Sequence, residues 1–232
     1  MNLKVALIGY GRMGKAIDAL AESYSCDIVE RLDISDNADG TGITADRFNA
    51  IDVAIDFSLA DAVVPNMKQL GATNTNVILG TTGWHRDEQK VKDIVNETGI
   101  GVVHAANFSI GVNLFQAIVE HSATLFADFD DFGAWIHESH HSAKQDAPSG
   151  TGLALNSAMR SSGYSRNIDV SSTRAGSIPG THVVGFDGHS ETLTLTHIAR
   201  DRSIFARGAL EVAQWIKARK GWFTMRDVIG LK

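Results

Sequence analysis

Residues 3–14, Leu-Lys-Val-Ala-Leu-Ile-Gly-Tyr-Gly-Arg-Met-Gly, decide how the rest of the chain is read. Leu3 to Ile8 is an apolar run broken only by Lys4, the composition of a strand buried on both faces of a parallel sheet. Gly9, Gly11 and Gly14 follow at the spacing G-x-G-x-x-G, and beyond them Ala16, Ile17, Leu20 and Ala21 recur at helical intervals. Strand, glycine turn and helix in that order suit a bound pyrophosphate. Gly9 permits the tight turn, Gly11 lets backbone approach the phosphates, and Gly14 lets the helix pack on the strand. The helix N-terminus adds unpaired N–H groups and partial positive charge. A tight turn with no ligand is the alternative reading. Against it stands Asp33, 19 residues beyond Gly14 at the end of the next apolar strand, where a carboxylate accepts both ribose hydroxyls.

Outward from this turn the pattern repeats. Residues 51–58 (IDVAIDFS), 76–84 (NVILGTTGW) and 99–109 (GIGVVHAANFS) read as further apolar strands. Helical stretches lie between them, the first capped by Ser58 and running through Asp61 to Leu70. Residues 36–47 lack periodicity and read as loop. Strands alternating with helices predict a mainly parallel α/β sheet of the Rossmann type, with ligands beyond the carboxyl ends of its strands. Gly80 to Thr82 and Ala105 to Phe108 stand at two such ends. From residue 108 the rhythm changes to a long helix (111–126), a strand in FGAWIHE, a helix in TGLALNSAMRSSG, and a hairpin whose second arm alternates Thr and Leu. The expected organisation is therefore a nucleotide-binding domain of residues 1–107 plus 209–232, with an α+β substrate and oligomerisation domain of residues 108–208 between.

Composition narrows the partners. The chain has 232 residues, 44% hydrophobic and 21% charged, enough to bury a sizeable core. A formal net charge of −6 supplies no broad positive field for nucleic acid. Cys26 is the only cysteine, which excludes an internal disulfide framework and suits the cytoplasm. No apolar stretch reaches membrane-spanning length. Around Asp33 the next residues are Ile34, Ser35 and Asp36, so a phosphate on the ribose would meet negative charge. NADH is expected to serve at least as well as NADPH, although Arg12 in the glycine turn offers a phosphate partner.

The second site is in residues 137–151, HESHHSAKQDAPSGT. Its first five residues fit H-E-x-x-H, which on a helix would place His137 and His141 on one face around zinc. The preceding residues are strand-like, and Pro148 and Gly150 follow soon after, so that helix is not expected. As a strand leaving its sheet, the segment gathers His140, His141 and Lys144, groups able to donate protons, ahead of the helix start DAPSGT. The N–H groups of Gly150 and Thr151 would receive a carboxylate there. An ordinary helix start beside surface histidines is the alternative.

Glu138-x-His140-His141-x-x-Lys144-x-Asp146-Ala147-Pro148-Ser149-Gly150-Thr151 resembles the signature of dihydrodipicolinate reductases, and GYGRMG, IDFS, GTTGW, AANFSIGVN, RAGSIPGTH and FARGAL agree in order over nearly the whole chain. The resemblance implies NADH- or NADPH-dependent reduction of a small cyclic dicarboxylate, 4-hydroxy-tetrahydrodipicolinate, on the way to diaminopimelate and lysine. It implies His140 as proton donor and acceptor, Lys144 as second proton donor, and His141, Gly150 and Thr151 as substrate contacts. Gly9, Tyr10, Gly11, Arg12, Met13, Asp33, Gly80, Thr81, Thr82, Ala105, Ala106, Asn107 and Phe108 would be cofactor contacts. No metal is implied, and the family habit is a homotetramer. A zinc peptidase and a non-catalytic dinucleotide sensor are the rival readings.

Overall fold

The computed structural model describes residues 1–231. Two compact units divide it: Met1–Ile110 with Ser203–Lys232, and Gly111–Arg202.

In the first unit, β1 (Leu3–Ile8), α1 (Arg12–Leu20), β2 (Cys26–Leu32), a short helix α2 (Ala45–Phe48), β3 (Val53–Asp56), α3 (Val63–Ala72), β4 (Asn76–Leu79), α4 (Glu88–Thr98) and β5 (Gly101–His104) follow in turn. The sheet order is β10-β5-β4-β3-β1-β2, all pairs parallel, where β10 is Gly221–Phe223. The chain turns from β1 to β2 on one side and crosses back to β3 on the other, which puts the topological switch between β1 and β3. Both faces of the sheet are covered. Leu3, Val5 and Leu7 join Ile17 of α1 and Ala209, Leu210, Ala213 and Ile216 of α7 (Ser203–Ile216). Ala6 and Ile8, at the alternate positions, join Met67, Leu70, Val91 and Val95 of α3 and α4. Period-two alternation thus splits one apolar run between two cores, which is why β1 reads as continuously hydrophobic.

Three local expectations need correction. Ser58 does not cap α3: a turn at Ala60–Ala62 intervenes, Ala62 holds the cap position, and the Ser58 hydroxyl accepts from Asn66 at 3.3 Å instead. The stretch 36–47 is not wholly loop, since Thr44 caps α2 through the Arg47 N–H at 3.4 Å. β10 and α8 (Met225–Val228) lie beyond the terminal helix and were not anticipated.

In the second unit, α5 (Ile110–Phe126, its first residue counted with the first unit), β6 (Gly133–His140), α6 (Gly150–Ser161), β7 (Ile168–Arg174), β8 (Thr181–Asp187) and β9 (Thr192–Ile198) form a sheet in the order β7-β6-β8-β9. β6 runs parallel to β7 and antiparallel to β8, and β8–β9 is the expected hairpin. Helices pack on one face, with Phe115, Val119, Leu155 and Met159 against Ala134, Ile136, Val184 and Phe186. β7 escapes a sequence reading because Asp169, Ser171, Ser172 and Thr173 give it no apolar alternation.

The tightest approach in the first unit is at Gly208 of α7, where an added Cβ would lie 1.7 Å from the Phe108 carbonyl oxygen. A backbone atom cannot yield as a flexible side chain does. Gly208→Ala should lower stability by roughly 1–3 kcal/mol or more through overpacking, read as a lower urea midpoint at unchanged slope.

Candidate active site

At the switch point of the first unit, Gly9 leaves β1 at φ +87 and its N–H donates to the Leu32 carbonyl at 2.8 Å. A Cβ on Gly9 would lie 2.4 Å from the Phe57 carbonyl oxygen, so only glycine fits between β1 and the end of β3. One on Gly14 would lie 2.5 Å from the Gly9 carbonyl, which is the close helix-on-strand packing the spacing predicts. Gly11 differs, for nothing lies within 4 Å of its would-be Cβ. Its backbone therefore faces open space at the N-cap of α1. That space continues into a cavity of about 500 Å³ lined by Gly9, Gly11, Asp33, Asp39, Ser58 and Asp61 among others. A dinucleotide fits these residues: open backbone N–H groups at a helix start for the pyrophosphate, a cavity beside them, and a carboxylate on its wall. The cavity wall includes three aspartates and no lysine or arginine, and Arg12 is not part of it.

The other predicted cofactor residues divide by environment. Tyr10 donates its hydroxyl to Asp18 at 2.5 Å, and Asp18 also takes Arg31 at 2.6 Å; that hydrogen bond raises the Tyr10 pKa. Met13 packs against the first core. Gly80 and Thr81 are buried, Thr82 is exposed, and Ala105 is anchored through its N–H to the Leu79 carbonyl at 3.2 Å. Ala106 is exposed and the Asn107 side chain accepts from the Ser109 N–H at 2.9 Å. The Phe108 ring is buried edge-on to Phe57 and its carbonyl packs against Gly208. Glu30, on β2 three residues before Asp33, is taken by Arg47 at 2.6 Å and is not available to a ribose.

Sequence reading missed the polar network that shapes this end of the sheet. Asp56 is fully buried at the end of β3 and accepts from the Ser58 N–H, Asn66 at 2.9 Å and Thr81 at 3.0 Å. Asn66 accepts in turn from Asn37, which receives the Gly42 N–H. Burial raises the Asp56 pKa, while its hydrogen bonds pull the other way. An isolated Asp and Asn carry no periodic signal, so nothing in the sequence linked them.

In the second unit, β6 settles the meaning of H-E-x-x-H. The segment is strand through His140, not helix. Glu138 and His140 share its buried face, whereas His137 lies on the other, bonded to the Ser171 hydroxyl at 2.9 Å. His137 and His141 therefore do not stand one helical turn apart. Among the described residues, ligand atoms of Glu138, His140 and His182 do lie within 4.8 Å of one another. But the Glu138 carboxylate already takes Arg174, at 2.6 Å on Oε1 and 3.1 Å on Oε2, and that positive charge opposes a cation.

Around this face the predicted residues gather. His140 Nδ1 bonds Glu138 Oε2. Burial lowers the His140 pKa, and the Glu138 carboxylate opposes the shift. Burial would raise Glu138, but hydrogen bonds from Arg174, Ser172 and His140 outweigh it and hold the carboxyl down at about 2. His182 of β8 stands edge-on to His140, ring centres 5.1 Å apart, with Nε2 on the Ser149 hydroxyl at 3.3 Å. Ser149 caps α6 by accepting from the Gly152 N–H at 3.1 Å, which sets Gly150 and Thr151 in its first turn. Lys144 grips the Asp146 carboxylate at 2.7 and 2.9 Å and foremost holds its pKa low. His141 Nε2 meets Arg202 at 2.6 Å.

The comparisons agree with these features. Residues 3–108 match the family model described as dihydrodipicolinate reductase, N-terminus, and residues 111–229 match dihydrodipicolinate reductase, C-terminus. A 4-hydroxy-tetrahydrodipicolinate reductase of Christiangramia forsetii is 33% identical over 98% of each chain. Another from Methanoregula boonei is 34% identical over 99% of this chain and 98% of its own. The fold is also that of a dipicolinate-bound dihydrodipicolinate reductase from Paenisporosarcina sp. TG-14, at TM-score 0.83 and 21% identity, covering 99% of this chain and 100% of that one.

Burial pushes the His182 pKa down to about 4 from its usual 6.5. A histidine whose folded pKa is lowered gives stability that is full above the unfolded value and is lost as pH falls toward the folded one. Acidification from pH 6.5 to 4 should therefore cost on the order of 3 kcal/mol at this residue. His104, His140 and His197 are lowered too and add to the same slope. In His182→Asn, urea unfolding followed across that window should show a shallower loss than in the parent protein.

Proposed function

The chain belongs to the dihydrodipicolinate reductase family, and from that membership we propose how its residues divide the work. The reaction is the NAD(P)H-dependent reduction of 4-hydroxy-tetrahydrodipicolinate to tetrahydrodipicolinate, a step of diaminopimelate and lysine biosynthesis. One hydride and one proton are consumed and water is released. Bound NADH or NADPH supplies the hydride. The first unit holds it: Gly9 to Met13 at the pyrophosphate, Asp33 at the ribose, and Gly80 to Thr82 with Ala105 to Phe108 at the remaining strand ends.

The second unit holds the substrate and moves its protons. His140 takes a proton from the substrate and returns one. Lys144 gives the one proton consumed, which leaves with the hydroxyl as water, and His141, Gly150 and Thr151 take the carboxylates. The observation that carries this assignment is that one segment brings together His140 at the end of β6, Lys144 on the Asp146 carboxylate at 2.7 and 2.9 Å, and the Ser149-capped start of α6. A cation held on a carboxylate beside a helix N-terminus suits a substrate that bears two such groups.

The protein is further assigned to the cytoplasm and to a homotetramer assembled through the second unit. A single buried cysteine supports the first. For the second, β9 is the edge of its sheet and carries Leu193 and Ile198 at 42% and 63% exposure, an edge that a second copy would cover. No helix among the described residues is long and apolar enough to cross a membrane.

Supplied with freshly condensed pyruvate and aspartate semialdehyde, the protein should oxidise NADH and NADPH, and a strong chelator should leave the rate unchanged. His140→Ala and Lys144→Ala should each lower kcat by roughly 10²–10⁴-fold. Oxidation of neither cofactor, or full activity in both variants, would overturn the assignment. The acidic cavity wall sets the expected order of KM as NADH below NADPH, and Asp33→Ala should raise the KM for NADH and narrow that difference.

A further inference from the structure

Glu138 is the buried charge that this division of labour leaves unused. It has no solvent exposure, and it lies two residues before His140 on the same strand face. Four groups converge on it. Arg174 Nη2 donates to Oε1 and Nη1 to Oε2, the Ser149 N–H reaches Oε1 at 3.3 Å, and His140 Nδ1 meets Oε2. Arg174 also donates to the Asp146 carbonyl at 2.6 Å and the Thr173 carbonyl at 2.8 Å. One ion pair therefore touches the imidazole, the segment carrying Lys144 and the cap of α6.

We propose that Glu138, clamped by Arg174, is a positioning residue for this reaction: it fixes the His140 proton on Nδ1 and leaves Nε2 as the atom that exchanges a proton with the substrate. This rests on the role given above to His140. An ionised carboxylate only accepts, so the ring nitrogen facing it must carry hydrogen. The Nε2 edge is kept clear by Gly180, where an added Cβ would lie 3.2 Å from Nε2. Arg174 keeps Glu138 from taking the proton outright. A carboxylate beside an imidazole with no third charge would share that proton, and the pair would lose its direction.

The groups bearing charge or titrating against His140 are Glu138 on its own strand, Arg174 on β7, Lys144 in the following segment and His182 on β8. They predict opposite effects for the two members of the clamp. Removing the Glu138 charge lowers the His140 pKa, and removing the Arg174 charge raises it. A purely structural role would move both variants the same way, or neither.

The test is nitrogen NMR of the full-length protein labelled at histidine, with His140 assigned from the resonances lost in His140→Gln, alongside pH–rate profiles. The wild type should show neutral His140 as the Nδ1–H tautomer. Glu138→Gln should move its titration down by about one unit and lower kcat by roughly tenfold or more with KM within about threefold. Arg174→Gln should move the titration up. The basic limb of each rate profile should follow. An Nε2–H tautomer in the wild type, or shifts of the same sign in both variants, would overturn the proposal. If Glu138→Gln does not fold, Arg174→Gln decides alone: an upward shift supports the clamp and its absence rejects it. Full turnover in His140→Ala would instead reject the role of His140, while the tautomer would still report on Glu138.

Discussion

Glu138 lies with no solvent contact near the end of β6, where an unpaired carboxylate would cost several kcal/mol and would protonate instead. It stays ionised because Arg174, Ser172, His140 and the Ser149 N–H claim its lone pairs, and those contacts outweigh burial. The requirement works in both directions. Each group must sit where the carboxylate can reach it, so β7, β6 and the first turn of α6 are locked in mutual register by one side chain. The arrangement that a buried charge demands for its own tolerance is also the arrangement that orients an imidazole.

The first unit meets a different constraint, steric rather than electrostatic. Backbone passes so close at Gly9 and Gly14 that no side chain fits, while Gly11 looks onto open space. Three glycines thus do two opposite things. Two bring protein against protein, and the middle one keeps protein away so that a ligand can approach. Asp56 and its partners Asn66 and Thr81 then hold the end of β3 beside the opening.

How much of this was legible follows from what each feature writes into the sequence. β1 and its glycine turn were readable because a doubly buried strand must be apolar throughout and because glycine marks positions no other residue can take. β6 was readable as strand, and the zinc pattern could be set aside, because Trp135 and Ile136 before it and Pro148 and Gly150 after it leave no helix to bring His137 and His141 together. β7 was not readable, since Ser171, Ser172 and Thr173 pair with β6 through backbone and leave no periodic trace. Neither was the bond from Arg174 to Glu138, 36 residues apart, because a single charge has no local signature. The capping role of Ser58 failed for a related reason: its hydroxyl accepts from the buried Asn66 side chain rather than from a helix N–H.

The sheet of the first unit is finished by the last part of the chain. α7 covers one face with Ala209, Leu210, Ala213 and Ile216, β10 pairs with β5, and the Asn76 side chain donates to the carbonyls of Ile216, Lys217 and Arg219. During synthesis, residues 1–110 leave the ribosome with that face covered by α1 alone, and the part α7 will cover waits while all of 111–202 is made. The second unit is continuous in sequence and has its whole core available before the first does. Completion therefore runs opposite to translation. Until α7 is made, the apolar positions of this face that α1 does not reach are exposed in the nascent chain.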